Sequence, residues 1–178
     1  LLTLQTSVST PSQAAEILLD VPDPYNQRIV INKGQLKDIA LGSPVIDAGG
    51  VMGQVTRVYP LTAEVTLLTD RDQSIPVLNS RTGARNIASG DTFAGVPQIE
   101  LKFVPASADV KEGDLLTTSG IDGVYPAGLK VARISHIERR VDISFARIHA
   151  TPLAEMKGRH VLVLTPTGFK ANAKGKTP

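Results

Sequence analysis

Short runs in which apolar and polar residues alternate cover most of the chain, separated by glycine, proline, asparagine and aspartate. This period of two predicts strands with one buried face, because successive side chains of a strand point to opposite sides of its sheet. Valine and isoleucine supply many of the apolar positions, and β-branched residues favour strands. About a dozen strands with almost no helix are typical of small barrels or sandwiches. The predicted strands are Glu16–Val21, Arg28–Asn32, Pro44–Asp47, Val51–Tyr59, Glu64–Leu68, Ile75–Asn79, Gln98–Val104, Asp114–Thr118, Leu129–Glu138, Ile143–Ala150 and His160–Leu164.

The first residues follow a different pattern. Leu1, Leu4 and Val8 are spaced three and four residues apart, as along the seam of a coiled coil, and Pro11 ends the pattern. A single heptad fits the stub of an N-terminal coiled-coil helix and a frayed terminus equally well, since so short a helix is marginal alone. These three apolar residues are the candidates for self-association.

An approximate internal repeat relates residues 33–58 to residues 108–134. Each copy has a polar turn, a glycine, a two-stranded meander and a long strand opened by a glycine, and a further strand follows. One meander cannot bury its own apolar face, so two copies predict an all-β fold of two small β-barrels in tandem, with convergent turn chemistry as the alternative. The predicted division is a coiled-coil remnant or linker at 1–14, a first barrel at 15–80, a second barrel at 81–165 and a disordered tail at 166–178. The strand at 160–165 is free to return to the first barrel.

Composition and charge narrow the functional classes. The net charge of +2 comes from 19 basic and 17 acidic side chains that are mostly interspersed, which argues against a nucleic-acid-binding face. The absence of cysteine excludes disulfides, thiolate nucleophiles and cysteine-based zinc sites. No apolar run approaches the roughly 18–20 residues that a membrane-spanning helix needs.

Three motifs occur in order along the chain. The first, at 23–34, is an Asp-Pro-Tyr turn leading into a strand and Asn-Lys-Gly. The second joins Gly-Gly-Val-Met-Gly-Gln-Val at 49–55 to Val-Thr-Leu-Leu-Thr-Asp at 65–70, and the third covers 109–129. Together they resemble the MreC family of rod shape-determining proteins, with minor departures at Met52 and at Ala63-Glu64. The motif residues, for which we expect structural roles, are Gly50, Gly53, Gln54, Asp70, Gly113, Asp114, Ser119, Gly120, Gly123, Pro126 and Gly128.

The resemblance implies a non-catalytic scaffold for cell-wall elongation and rod shape, with two barrels in the periplasm or facing the cell wall. It implies an inner-membrane helix and a coiled coil upstream, so that the membrane is reached only through that helix. Implied partners are an elongation-specific penicillin-binding protein, MreD, MreB and RodA, together with a homodimer or filament of the protein itself. No cofactor, metal or nucleic acid is implied, and the partner-binding surface is left undefined.

Trypsin-like hydrolases also consist of two β-barrels in tandem, so a hydrolase is the enzymatic alternative. Its candidates are Ser119, one of His136, His149 and His160, and an acid such as Asp70 or Asp109. In those proteases the histidine comes from the first barrel and the serine from the second. Every histidine here follows Ser119, and the predicted first barrel, taken as 15–80, contains none. The sequence therefore favours a binding module over an enzyme.

The sequence supports a metal site or a purely filament-forming module less well than it supports a scaffold. The three histidines lack the compact spacing of zinc sites, and Asp70-Arg71-Asp72 at a strand end is more typical of a solvated turn than of a cation site. A purely structural, filament-forming module would share the strand pattern. It would lack the motif from Gly113 to Gly128, and the presence of that motif favours the scaffold.

Overall fold

The computed structural model describes residues 10–23, 26–156 and 158–166. The fold is all-β: twelve strands and one short 3-10 turn, Gln35–Lys37, with no α-helix among the described residues. The strands are β1 Ser12–Pro22, β2 Gln27–Ile31, β3 Pro44–Ile46, β4 Val51–Val58, β5 Ala63–Leu67, β6 Ser74–Asn79, β7 Arg85–Phe93, β8 Val96–Pro105, β9 Leu115–Thr118, β10 Lys130–Glu138, β11 Phe145–Pro152 and β12 His160–Leu164.

The strands close into two six-stranded barrels, which confirms the predicted fold class. The first has the order β1-β12-β3-β4-β5-β2, and the second has the order β10-β11-β8-β7-β6-β9. Each order is a closed ring, so it can be read from any strand. The two rings are the same when β1 to β5 are matched in turn with β7 to β11, and β12 is matched with β6. The internal repeat therefore extends to the whole topology, and the second barrel is inserted between β5 and β12 of the first.

The predicted barrel boundaries differ from the observed ones. Strand β6 was assigned to the first barrel, but it pairs with β7 and β9, and Ile75 and Val77 are buried with the core of the second barrel. The crossing between barrels therefore falls at residues 68–73 instead of at 80/81. At the start, β1 begins at Ser12, inside the segment predicted as linker. At the end, β12 lies between β1 and β3 of the first barrel.

Strand β7 was not predicted. Its sequence is mostly polar or small, and its buried residues Ala88, Ser89 and Gly90 do not stand out in an apolar pattern. It is a strand because it lies between β6, which pairs with Arg85–Ser89, and β8, which pairs with Ile87–Phe93. Tertiary pairing thus overrides a weak local signal.

Two apolar clusters hold the fold together. The first barrel encloses one that includes Ile29, Ile31 and Val65, and a second fills the other barrel and continues into the contact between the barrels. Strand β12 serves both: Val161 and Val163 pack inside the first barrel, whereas Leu162 and Leu164 point the other way, into the second cluster. This alternation predicts that the two barrels stabilise each other, because the apolar side chains of one strand are buried in both cores.

Some predictions fall on residues that the structure leaves out. The candidate self-association residues Leu1, Leu4 and Val8 lie outside the described residues, as do positions 167–178 of the predicted tail. Pro166, the first residue of that tail, is buried. Within the described part of the chain, no helix has the length and apolar character needed to span a bilayer.

Candidate functional site

The Gly-Gly motif before β4 lies in the contact between the barrels. The Asp47 carboxylate accepts hydrogen bonds from the backbone amides of Gly49, at 2.8 Å, and Gly50, at 3.1 Å. Its second oxygen accepts from the Met156 amide at 3.0 Å, in the segment that returns from the second barrel. A Cβ at position 50 would lie 2.4 Å from the Lys130 carbonyl oxygen, so glycine is needed for this close approach.

The next motif residues, Gly53 and Gln54, organise the first barrel. A Cβ at position 53 would lie 2.0 Å from the carbonyl oxygen of Thr66 on the neighbouring strand. The Gln54 side-chain amide donates to the Gly42 carbonyl at 3.0 Å and ties β4 to the turn before β3. Both residues therefore set backbone spacing in the first barrel.

Asp70 lies where the chain crosses from the first barrel to the second. Its buried carboxylate accepts from the Gln27 amide at 2.9 Å and from the Asp72 amide at 2.9 Å. A Cβ at Gly90 of β7 would lie 1.9 Å from the Asp70 carbonyl oxygen, so the crossing is packed directly against the second barrel. Asp70 thus acts as a hydrogen-bond acceptor that fixes the crossing.

Asp114 is the centre of a charged network beside β9. The Arg81 guanidinium donates to both carboxylate oxygens, at 2.7 and 2.8 Å, and Asn79 and the Lys111 amide donate to it at 2.8 and 3.0 Å. These donors, Arg81 first, hold the pKa of Asp114 well below its usual range despite burial. Arg81 also bridges to Asp109 at 3.0 Å, which lowers the pKa of Asp109. The network joins the turns that follow β6 and precede β9.

The broad loop between β9 and β10 contains the rest of the motif. Thr118 organises it: its hydroxyl donates to the Pro126 carbonyl at 2.5 Å and accepts from the Leu129 amide at 2.9 Å. The Ser119 hydroxyl accepts from the Ile121 amide at 3.4 Å, and Gly120 takes a φ of 74° against Ala127. The other glycines with positive φ in this motif are Gly113, Gly123 and Gly128.

The candidate catalytic residues are not brought together. Ser119 makes no hydrogen bond with a histidine within the described residues. His149 instead stacks on Phe93, with ring centroids 4.2 Å apart, and lies 3.9 Å from Asp91. The sequence argument also needs correcting, because β12 places His160 in the first barrel, where it is exposed at the start of the strand. No group of three or more metal-ligating side chains suited to an ion occurs among the described residues.

An exposed aromatic pair stands out on the second barrel. Phe103 is 79% exposed, Phe145 is 49% exposed, and their rings meet edge to face with centroids 6.1 Å apart. The β8–β11 register shifts here, so that Lys102 and Phe103 lie opposite the single residue Arg147. Phe103 takes a φ of 56°, which is strained for a bulky residue. The bulge therefore turns an aromatic ring towards solvent, as expected for a binding surface.

Sequence reasoning missed this pair. Phe103 falls within a predicted strand and Phe145 within another, and 42 positions separate them in the chain. The only available signal was the scarcity of aromatic residues, four phenylalanines in all, which makes two adjacent and exposed ones informative. The bulge that exposes Phe103 depends on pairing with β11.

Comparison with known proteins decides the family. A family model described as "Rod shape-determining protein MreC, barrel core" matches residues 17–165. The chain belongs to the MreC family. The cell shape-determining protein MreC of Haemophilus influenzae is 42% identical over 156 residues, which cover 87% of this chain and 44% of that protein. This chain therefore spans less than half the length of that relative.

Solved MreC structures share the two-barrel fold. The crystal structure of MreC from Pseudomonas aeruginosa matches with a TM-score of 0.82 and 43% identity, covering 87% of this chain and 99% of that one. A more distant match, with a TM-score of 0.61 and 15% identity, covers 88% of this chain and 98% of the other, and comes from a complex between a penicillin-binding protein and MreC from Helicobacter pylori. At that identity the likeness shows the fold alone.

Proposed function

We propose that this chain is a non-catalytic, extracytoplasmic scaffold of cell-wall elongation that binds an elongation-specific penicillin-binding protein. The observation that carries the proposal is the exposed pair Phe103 and Phe145 on a rigid barrel of an MreC-family protein. The Helicobacter pylori relative, solved in complex with a penicillin-binding protein, supports this class of partner.

The aromatic pair suits protein recognition for physical reasons. Aromatic side chains bury much apolar surface at a small entropic cost and are enriched among the residues that dominate binding energy. The hydrogen-bonded strands β8 and β11 hold both residues, so little conformational freedom remains to be lost on binding. The charged residues Lys102 and Arg147 flank the pair and supply a polar rim.

The test is a binding assay with the purified extracytoplasmic part of the elongation-specific penicillin-binding protein from the same organism. Phe103→Asn is the informative variant, because asparagine tolerates a positive φ and removes only the ring. We expect its affinity to fall by about tenfold or more, as for an interface anchor. Tyr59→Ala, which removes an exposed aromatic ring from the first barrel, should bind like the wild type. Unchanged binding by Phe103→Asn, with an unchanged melting temperature, would refute this surface.

The wider assembly is part of the same proposal. In the full-length protein, an upstream helix anchors the chain in the inner membrane, and the protein forms a homodimer or filament and meets MreD, MreB and RodA. Support comes from family membership alone. Site-specific crosslinking in cells from a photoreactive residue at position 103 should capture a cell-wall synthase, and repeated absence of such products would count against the assembly.

The non-catalytic assignment has its own test. It is supported by Ser119, whose hydroxyl accepts a backbone hydrogen bond and makes no hydrogen bond with a histidine among the described residues. Purified chain should leave peptide and peptidoglycan substrates intact. Cleavage that disappears in Ser119→Ala would establish the hydrolase alternative instead.

A further inference from the structure

The first barrel has a strand edge that is only partly covered. Residues Ser12–Glu16 of β1 pair with β12 on one side, whereas from Ile17 onward β1 pairs only with β2 on its other side. The Ile17 amide donates to the Arg159 carbonyl at 2.6 Å, which is the last backbone contact on the β12 side among the described residues. Beyond it, β1 has no neighbouring strand on this side in the described part of the chain.

The side chains along this edge are apolar and exposed. Leu18 is 55% exposed and Leu19 is 58% exposed, and the register shift between Ile17 and Leu19 lies at the point where the edge becomes free. Natural sheet edges are commonly protected by lysine, proline or a covering segment. Here Pro22 ends the strand and Asp20 supplies one charge, but Leu18, Leu19 and Val21 stay exposed.

A groove runs beside the edge. A cavity of about 270 Å³ lies between Leu18, Leu19 and the segment with Gly158 and Arg159. It continues into a second cavity of about 450 Å³, and Asp20 and Met156 line both. The smaller cavity therefore lies along the strand edge, and the larger one extends from Asp20 and Val21 across β2 to Leu67 of β5.

The two faces of the edge differ in chemistry. Leu19 and Val21 lie opposite Val30 and Arg28 of β2 and share one face, whereas Asp20 lies opposite the buried Ile29 and belongs to the other face. The Asp20 carboxylate makes no hydrogen bond or ion pair with the described residues. A strand paired here therefore meets apolar side chains on one face and a carboxylate on the other, with a period of two.

We propose that the free edge of β1, Leu18–Val21, binds an extended segment of a partner protein as an added strand. The segment has apolar residues at alternate positions, beside Leu19 and Val21, and an arginine or lysine between them, beside Asp20. A second copy of this chain fits less well: symmetric antiparallel pairing centred on Asp20 would place two Asp20 carboxylates directly opposite each other on one face, and like charges repel. The edge lies on the first barrel, so it is independent of the aromatic pair.

A designed peptide tests the proposal with the chain as it exists. The probe is a blocked heptapeptide with valine at the second, fourth and sixth positions, arginine at the third and threonine elsewhere. Titrated into isotopically labelled protein, it should shift the amide resonances of residues 17–21 and of Met156, Gly158 and Arg159, and leave the second barrel unchanged. N-methylation of alternate peptide amides on the paired side should weaken binding by about tenfold or more, because it removes backbone hydrogen bonds and keeps every side chain.

Variants of the protein separate the contributions of the apolar side chain and of the charge. Leu19→Lys should abolish binding, whereas Leu61→Lys, at an exposed leucine in the turn between β4 and β5, should not change it. Asp20→Asn should weaken the arginine peptide by about threefold or more and leave a norleucine analogue unaffected. The proposal fails if the probe does not bind, if N-methylation has no effect, or if the shifts map elsewhere. A dimer in sedimentation that Leu19→Lys dissociates would assign the edge to a second copy and overturn it.

Discussion

Single carboxylates do much of the structural organisation in this protein. Asp47, Asp70 and Asp114 are all buried, and each accepts hydrogen bonds from backbone amides of a turn or a crossing. Burial of a carboxylate is costly unless its oxygens are satisfied, so each of these residues favours one backbone arrangement over others. Asp114 differs from the other two in having a guanidinium partner, Arg81.

Replacing Asp114 by asparagine should lower the free energy of unfolding at pH 7 by about 2–4 kcal/mol, because the buried ion pair with Arg81 is broken. The folded-state pKa of Asp114 lies below the unfolded value, so its contribution is complete above about pH 4 and is lost as the pH falls. Denaturant unfolding at pH 7 and under acid should therefore show a difference from wild type that narrows on acidification. Asp109→Asn, at the exposed partner of Arg81, is the control and should have a small effect. A constant difference would contradict this account.

His149 should also make stability fall on acidification, but in a higher pH range than Asp114 does. It is 2% exposed, and burial lowers its pKa, with Arg147 and His136 acting in the same direction and Glu100 and Asp91 opposing them. The unfolded state therefore binds a proton more readily, and stability is lost as the pH falls below about 6.5.

We expect His149→Gln to flatten the pH dependence of unfolding between about pH 7 and 5, measured by denaturant titration. His160→Gln, at an exposed histidine, should keep the wild-type slope. If both variants retained that slope, His149 would not be its source.

At the scale of elements, close strand packing depends on glycine at positions where neighbouring strands nearly touch. The β4–β5 pair is the clearest case, because a methyl group at Gly53 would overlap the Thr66 carbonyl oxygen at 2.0 Å. Backbone on both sides is fixed by the closed ring, so the overlap has no easy relief.

Gly53→Ala should therefore reduce the free energy of unfolding by about 2–4 kcal/mol. Gly158→Ala is the matched control, since the nearest atom to its added methyl group lies 3.9 Å away, and it should change stability by less than about 0.5 kcal/mol. Thermal and denaturant unfolding of both variants measure this. Equal effects would mean that the β4–β5 contact tolerates more than its geometry indicates.

At the scale of the whole molecule, the second barrel interrupts the first between β5 and β12. Leu162 and Leu164 of β12 are buried against the second barrel, while Val161 and Val163 of the same strand are buried inside the first. Neither barrel can lose this strand without exposing apolar surface of the other. The two barrels should therefore unfold as one unit.

Calorimetry should show a single transition, with the calorimetric enthalpy equal to the van't Hoff enthalpy. Leu162→Ala should lower stability by about 2–5 kcal/mol and keep the single transition, because the cavity lies in the shared cluster. Leu18→Ala, at an exposed leucine, should change stability by less than about 0.5 kcal/mol. Two resolved transitions in the wild-type chain would show that the barrels are independent.

The sequence by itself determined the all-β class, the two related barrels and the family, because alternation, turn residues and ordered motifs are local signals. It also placed the motif residues, although their partners were unknown. Only the tertiary structure decided that β6 belongs to the second barrel, that polar β7 is a strand, and that His160 lies in the first barrel. Only the tertiary structure shows that Phe103 is exposed beside Phe145, and that Leu18–Val21 lack a strand neighbour on one side among the described residues. The physical reason is the same in each case: ring closure and strand register join residues far apart in the chain, and a local pattern carries no information about which strand becomes the neighbour.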